Sequence, residues 1–211
     1  MPVIIMAVKN QGEIMKQYTI TKFKNWESVP VVKIDTPYKY NVEGIEAAAQ
    51  IAYTSDEILV HLFAKEKDIR KEETDVLGMP CHDSCLEFFF CPNPEEDRYF
   101  NIEFNPNGCM FLGFGVTNVQ RITRLVVDPK ELFDIKINYT SEGWEVFYKV
   151  PVEFITRFFP EFKLESGKMI RANLYKCGDY CVQPHYLTWC PVTPQVSAFH
   201  NPSKFGLMIF E

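Results

Sequence analysis

A chain of 211 residues is long enough for one domain with a substantial core. With 46% hydrophobic and 15% aromatic residues it reads as a folded globule, not a disordered segment. A net charge of -6 argues against general attraction to nucleic acid or anionic lipid, and no apolar run approaches the ~20 residues that cross a bilayer.

The apolar opening, residues 1–8, is short and has no basic residues ahead of it, so it is not read as a secretion signal. A cytoplasmic location is therefore expected, with residues 1–15 set apart as an extension and 16–211 forming one domain. The seven cysteines fit that expectation as free thiols, because an odd number cannot all pair within one chain.

Residues 22–35 carry Trp26 and an edge strand around Val31. Residues 46–53 and 58–64 flank a turn at 54–57, and the charged residues 65–76 read as a loop or short helix. Two strands follow, 85–91 and 99–105, joined by the Pro- and Asn-rich turn 92–97. Side chains alternate across a strand, so Leu86, Phe88 and Phe90 share one face and Cys85, Glu87 and Phe89 the other. In the next strand Phe100, Ile102 and Phe104 face the core, which leaves Tyr99, Asn101, Glu103 and Asn105 opposite. Strands at 110–115, 132–139 and 144–150 come next, then one short helix at 151–159 opened by Pro151, and strands at 169–176 and 205–210. Many short strands with frequent turns predict an all-β, antiparallel β-sandwich of jelly-roll kind with one short helix.

Residues 169–176 alternate in the same sense, placing Ile170, Ala172 and Leu174 in the core and Arg171, Asn173 and Tyr175 on the far face. A floor of Glu87, Asn101, Glu103, Arg171, Asn173 and Tyr175 suits a saccharide. Each sugar hydroxyl donates and accepts, so carboxylates, amides and a guanidinium can pair with adjacent hydroxyls. Trp189, beside turn residues, is the candidate ring for stacking on the sugar's C–H face, against the alternative that it caps the core. Trp26 and Trp144 read as structural. His200, just ahead of Asn201-Pro202, reads as tying a turn, and His61 as a core or sheet-face residue.

Two other readings remain open. Glu87 and Glu103 could serve as a glycosidase pair, which needs carboxyls ~5–5.5 or ~6.5–9.5 Å apart. A sensing or structural sandwich could hold a metal through Cys81, His82, Cys85, Cys177 and Cys181, or a haem through Met and His, although the three-residue cysteine spacings depart from the usual zinc knuckle.

Asp83-Ser84-Cys85-Leu86-Glu87-Phe88-Phe89, Tyr99-Phe100-Asn101-Ile102-Glu103-Phe104-Asn105, Gly143-Trp144-Glu145-Val146, Arg171-Ala172-Asn173-Leu174-Tyr175-Lys176, Trp189 and Phe199-His200-Asn201-Pro202 come in an order that resembles the carbohydrate-binding module family 9-like group. The likeness spans residues 26–210. It implies a jelly-roll sandwich with a sugar-binding face, a mono- or oligosaccharide as partner, no catalysis, and in some members a calcium ion but no other cofactor. By position Glu87 matches the strand carboxylate, Asn173 the strand amide and Trp189 the late tryptophan. The earlier tryptophan of the better-known members falls where this chain has Met79-Pro80-Cys81-His82, so a sandwich of two indoles is not expected.

Overall fold

The structure, a computed structural model, describes residues 9–10, 13–40, 42–193 and 198–211. Of the expected N-terminal extension, only β1 (Lys9–Asn10) and β2 (Glu13–Ile14) are described up to residue 14, and they pair with each other alone. In chain order there follow β3 (Gln17–Lys22), β4 (Val31–Lys33), β5 (Thr36–Pro37), β6 (Glu46–Tyr53) and β7 (Glu57–Lys65). The next group is β8 (Cys85–Cys91), β9 (Tyr99–Phe104), β10 (Met110–Gly115) and β11 (Arg121–Thr123). A helix α1 (Pro129–Phe133) precedes β12 (Lys136–Tyr139) and β13 (Gly143–Pro151). A second helix, α2 (Val152–Thr156), leads to β14 (Met169–Gly178), β15 (His185–Thr188) and β16 (Gly206–Phe210).

From β3 onward the strands form one curled sheet of 14 over a common core, with the path β11-β10-β9-β8-β14-β16-β3-β6-β7-β13-β12, β4 paired to β6, and β15 paired to both β14 and β5. The sheet is mixed, which corrects the expected antiparallel arrangement. β3 runs parallel to β16 through Tyr18–Met208 and parallel to β6 through Thr21–Ala52, so it joins the two halves of the sheet. Both parallel pairs unite segments remote in sequence with no tight turn between them, and only a turn signals strand direction locally.

The helix count also differs. Residues 132–133, expected in a strand, lie in α1, where the Asp128 side chain accepts from the Lys130 and Glu131 amides and Pro129 occupies the first turn. The expected helix at 151–159 contracts to α2, because Pro151 still belongs to β13.

Strand phase in the core is as the alternation predicts. Leu86, Phe88, Phe90, Phe100, Ile102, Phe104, Ile170, Ala172 and Leu174 are all buried in the main cluster, packed with Val60, Leu62, Val146 and Tyr148 of the other half-sheet. Continuing that phase by two residues puts Lys176 inside as well. Its ammonium lies 3.2 Å from Glu66 and from Ser84 Oγ and 2.6 Å from His185 Nε2, with no solvent exposure. The Trp144 indole N–H donates to both Glu66 (2.8 Å) and Ser84 Oγ (2.9 Å). Burial pushes the Glu66 carboxyl up, and the Lys176 ammonium with these hydrogen bonds more than offsets it, leaving Glu66 below its ordinary value. This buried pair ties β14 to the end of β7, and the Trp144 indole brings in β13.

Candidate functional site

The outer faces of β8, β9 and β14 are not uniformly open. Around Phe89 they carry a second apolar cluster of Phe89, Cys91, Tyr99, Tyr175 and Phe205, onto which Phe199 packs. One step along the strands, at Glu87 and Glu103, the covering segments part and leave a cleft of about 430 Å³. That size falls in the range of ~300–1,000 Å³ typical of small-molecule sites.

Glu87 on β8 lies directly opposite Glu103 on β9, and both line the cleft floor. Glu87 is 3% and Glu103 6% exposed, so each carboxyl is largely removed from water. Burial, followed by the neighbouring Glu103 charge, pushes Glu87 well above the usual carboxylate value. Burial likewise raises Glu103 to about 7, against the opposing hydrogen bond from Asn101 and the charge of Arg121. The Cys177 thiol donates to Glu87 Oε1 at 2.9 Å.

Asn101 relays between acid and base. Its amide donates to Glu103 Oε1 at 2.5 Å, while its Oδ1 accepts from the Arg121 guanidinium at 2.9 Å. Arg121 belongs to β11, two strands away, and reaches the floor by crossing β10 at Gly113. A Cβ on Gly113 would stand 2.6 Å from Asn101 Oδ1 and 3.3 Å from Arg121 Cδ, so only glycine leaves that passage clear. The Phe111 ring, 4.5 Å from the guanidinium carbon, supports it from one side.

The wall is aromatic. Tyr186 and Phe199 meet edge to face at 5.9 Å, and Tyr38 lies 5.9 Å from Phe199. Tyr186 is fixed by a 2.7 Å hydrogen bond from its hydroxyl to Asp179 and by the Tyr38 amide donating to its carbonyl. Phe199 stacks on Tyr175 at 4.1 Å, and the Tyr175 hydroxyl donates to the Phe199 carbonyl. His200 borders the cleft with Nδ1 2.8 Å from the Tyr99 hydroxyl. Burial and the Arg121 charge lower its pKa to about 3, so the ring is neutral. Met79 and Cys81 form the opposite rim, at the positions where an indole was not expected.

Arg171, Asn173 and Tyr175, expected on this floor, and Trp189, expected as its stacking ring, do not line the cleft. Arg171 anchors two loops, donating to the Pro202 carbonyl at 2.9 Å, to the Glu96 carbonyl, and to Asp97 at 3.0 Å. Asn173 lies where β16 and β15 leave a gap along the edge of β14. There its amide donates to the Cys190 carbonyl at 3.1 Å and its Oδ1 accepts from the Cys190 amide at 2.8 Å. Trp189 directly follows β15 instead of lying in a free loop. Its amide continues the ladder to Leu174, and its indole, 4% exposed, packs in the main core. It offers no ring to the cleft. Tyr175 is fully buried beneath Phe199, and Asn101 is fully buried behind Arg121. Among the expected residues, then, only Glu87 and Glu103 line the cleft, with Asn101 behind them. The sequence reading missed Arg121, Asp179, Tyr186 and Phe199.

A calcium ion, which the family resemblance allows for, requires ~6–8 oxygen ligands. The buried Asp83 is committed otherwise: Oδ2 accepts from the Glu73 amide and from Asn105, and Oδ1 faces the Arg70 guanidinium at 3.2 Å. Among the described residues, Cys85, Glu87 and Cys177 are three metal-ligating side chains that converge, and two sulfurs with one carboxylate do not fit calcium.

The sequence profile described as carbohydrate-binding family 9 matches residues 13–210. A crystal structure from Bacteroides uniformis, described as a candidate carbohydrate-binding protein, superposes with a TM-score of 0.76 at 27% identity, covering 93% of this chain and 100% of that one. A family 9 carbohydrate-binding module from Caldicellulosiruptor kristjanssonii, solved with glucose and with cellotriose, gives a TM-score of 0.66 at 12% identity, covering 93% of this chain and 96% and 94% of those chains. No curated protein sequence matches.

Proposed function

We propose, for a chain that belongs to carbohydrate-binding family 9, that the Glu87–Glu103–Arg121 cleft binds a small neutral saccharide without cleaving it. The observation that carries this reading is the convergence, in one cleft, of two carboxyls, a guanidinium held in place by Asn101 and Phe111, and the Tyr186–Phe199 wall. The carboxyls and guanidinium supply paired donors and acceptors for adjacent hydroxyls, and the rings supply a surface for the apolar sugar face. Arg121 and Tyr186 take the roles first given to Arg171 and Trp189.

Binding without hydrolysis is favoured by how the acids are placed. A glycosidase needs its two carboxyls flanking the scissile bond. Here they are nearest cross-strand neighbours on a single face, with Cβ atoms ~4.5–5.5 Å apart by ladder geometry, so both approach a ligand from below. Burial disfavours charge on both, which suits hydrogen bonding to neutral hydroxyls.

Because relatives of this fold hold glucose and cellotriose, gluco-configured sugars head the test. At ~0.3 kcal/mol per non-hydrogen atom, about 12 such atoms give roughly -4 kcal/mol, a Kd on the order of 1 mM. Titration calorimetry with glucose, cellobiose, xylose and galactose is expected to give saturable heat with at least one. Silence from all at about 10 mM, ten times that Kd, would count against the reading.

A further inference from the structure

Beneath the cleft floor two paired thiols, which saccharide binding does not use, lie beside Glu87, which it does. Cys85 on β8 and Cys177 on β14 are directly paired across the ladder, and Glu87 is two residues along β8 from Cys85, on the same face. The two sulfurs and a Glu87 oxygen lie within 4.8 Å of one another, and all three residues are buried. The half-buried Cys81 lines the same cleft as Glu87 and Cys177.

We propose that Cys85, Cys177 and Glu87 form a binding site for a soft divalent cation such as Zn²⁺, with its fourth position facing the cleft and Cys81 beside it. The donor set is right for such an ion: two sulfurs and a carboxylate belong to zinc and its thiophilic relatives, not to magnesium or calcium. The geometry is nearly in place. Tetrahedral coordination with Zn–S near 2.3 Å puts two sulfurs about 3.8 Å apart. Ligand atoms already within 4.8 Å, on two strands fixed in register, need only small side-chain rotations to reach that spacing.

Electrostatics points the same way. Glu87 and Glu103 stand directly opposite each other beside the paired Cys85 and Cys177, and all four are buried. The nearby Lys176 ammonium is turned into the core, 3.2 Å from Glu66. Two carboxyls and two sulfurs gathered this closely offer a cation its counter-charge. Its binding releases to solvent the two thiol protons and the proton held by the Glu87 carboxyl, which makes affinity rise with pH.

The test uses the metal alone, without sugar, so its result is independent of the saccharide reading. The reduced protein is freed of metal with a chelator and titrated with Co²⁺ and with Cd²⁺ while thiolate-to-metal absorption is followed. One ion per chain is expected, with a tetrahedral Co²⁺ spectrum. Cys177→Ser and Cys85→Ala should each weaken binding by more than the roughly 10–100-fold that follows loss of an outer-sphere partner. Cys91→Ser, a buried cysteine outside the cluster, should leave binding unchanged, and near-ultraviolet circular dichroism reports folding of each variant. Should a cluster variant fail to fold, Glu87→Gln, which preserves shape, carries the same expectation. Absence of the band, its survival in Cys85→Ala and Cys177→Ser, or its equal loss in Cys91→Ser would overturn the site.

Discussion

The acid pair in the cleft makes stability depend on pH in a direction opposite to that of most carboxylates. Burial raises Glu103 from an ordinary 4.5 to about 7. Between those values the folded chain holds a proton that the unfolded chain has released, so stability falls as pH rises. At about 1.4 kcal/mol per pH unit the interval corresponds to roughly 3 kcal/mol. Glu103→Gln removes the ionisation but keeps an oxygen to accept the Asn101 hydrogen bond. Urea unfolding followed by tryptophan fluorescence should show the wild type losing stability between about pH 5 and pH 8. The variant should match it near pH 5 and exceed it near pH 8 by about 1–3 kcal/mol. Parallel profiles, separated by a constant amount across this range, would refute the claim that Glu103 is held protonated by its surroundings.

Two further substitutions separate support from recognition. Lys176→Met strands the buried Glu66 carboxylate and should cost about 3–5 kcal/mol, a fall in Tm of roughly 6–20 °C by differential scanning calorimetry. Adding Glu66→Gln, which still accepts from Trp144, should recover most of it, whereas no recovery would mean that packing and not charge is at stake. Trp189→Ala should cost about 3–5 kcal/mol in a denaturant titration while leaving the sugar Kd of the folded fraction unchanged, and a selective loss of affinity would return Trp189 to the site.

The fold was legible in the sequence where a signal was local. Alternation in residues 85–91 and 99–104 assigned the core-facing phenylalanines correctly, and the same phase carried two residues further would have placed Lys176 inside. Asp128-Pro129 held the signature of a helix start, but the apolar residues after it read as a strand. Direction was not legible for β3, whose partners come from the far end of the chain and from β6.

The site was half legible for the same reason. Glu87 and Glu103 share one hairpin, so phase alone brings them together. Arg121 arrives only because β10 and β11 fold back and Gly113 lets its side chain cross, and Gly113-x-Gly115 was the one available hint. Trp189 and Asn173 looked functional by residue type. Their roles were decided by the gap between β15 and β16, a feature of tertiary pairing that no local pattern encodes.

The most direct measurement is a crystal structure of the protein grown with saturating glucose or cellobiose. The pyranose is expected on the floor of the cleft, its hydroxyls bonded to Glu87, Glu103 and Arg121 and its ring against the Tyr186–Phe199 wall. Sugar bound elsewhere, for instance against Trp26 and Phe147 on the opposite half-sheet, with the cleft left empty, would contradict the account.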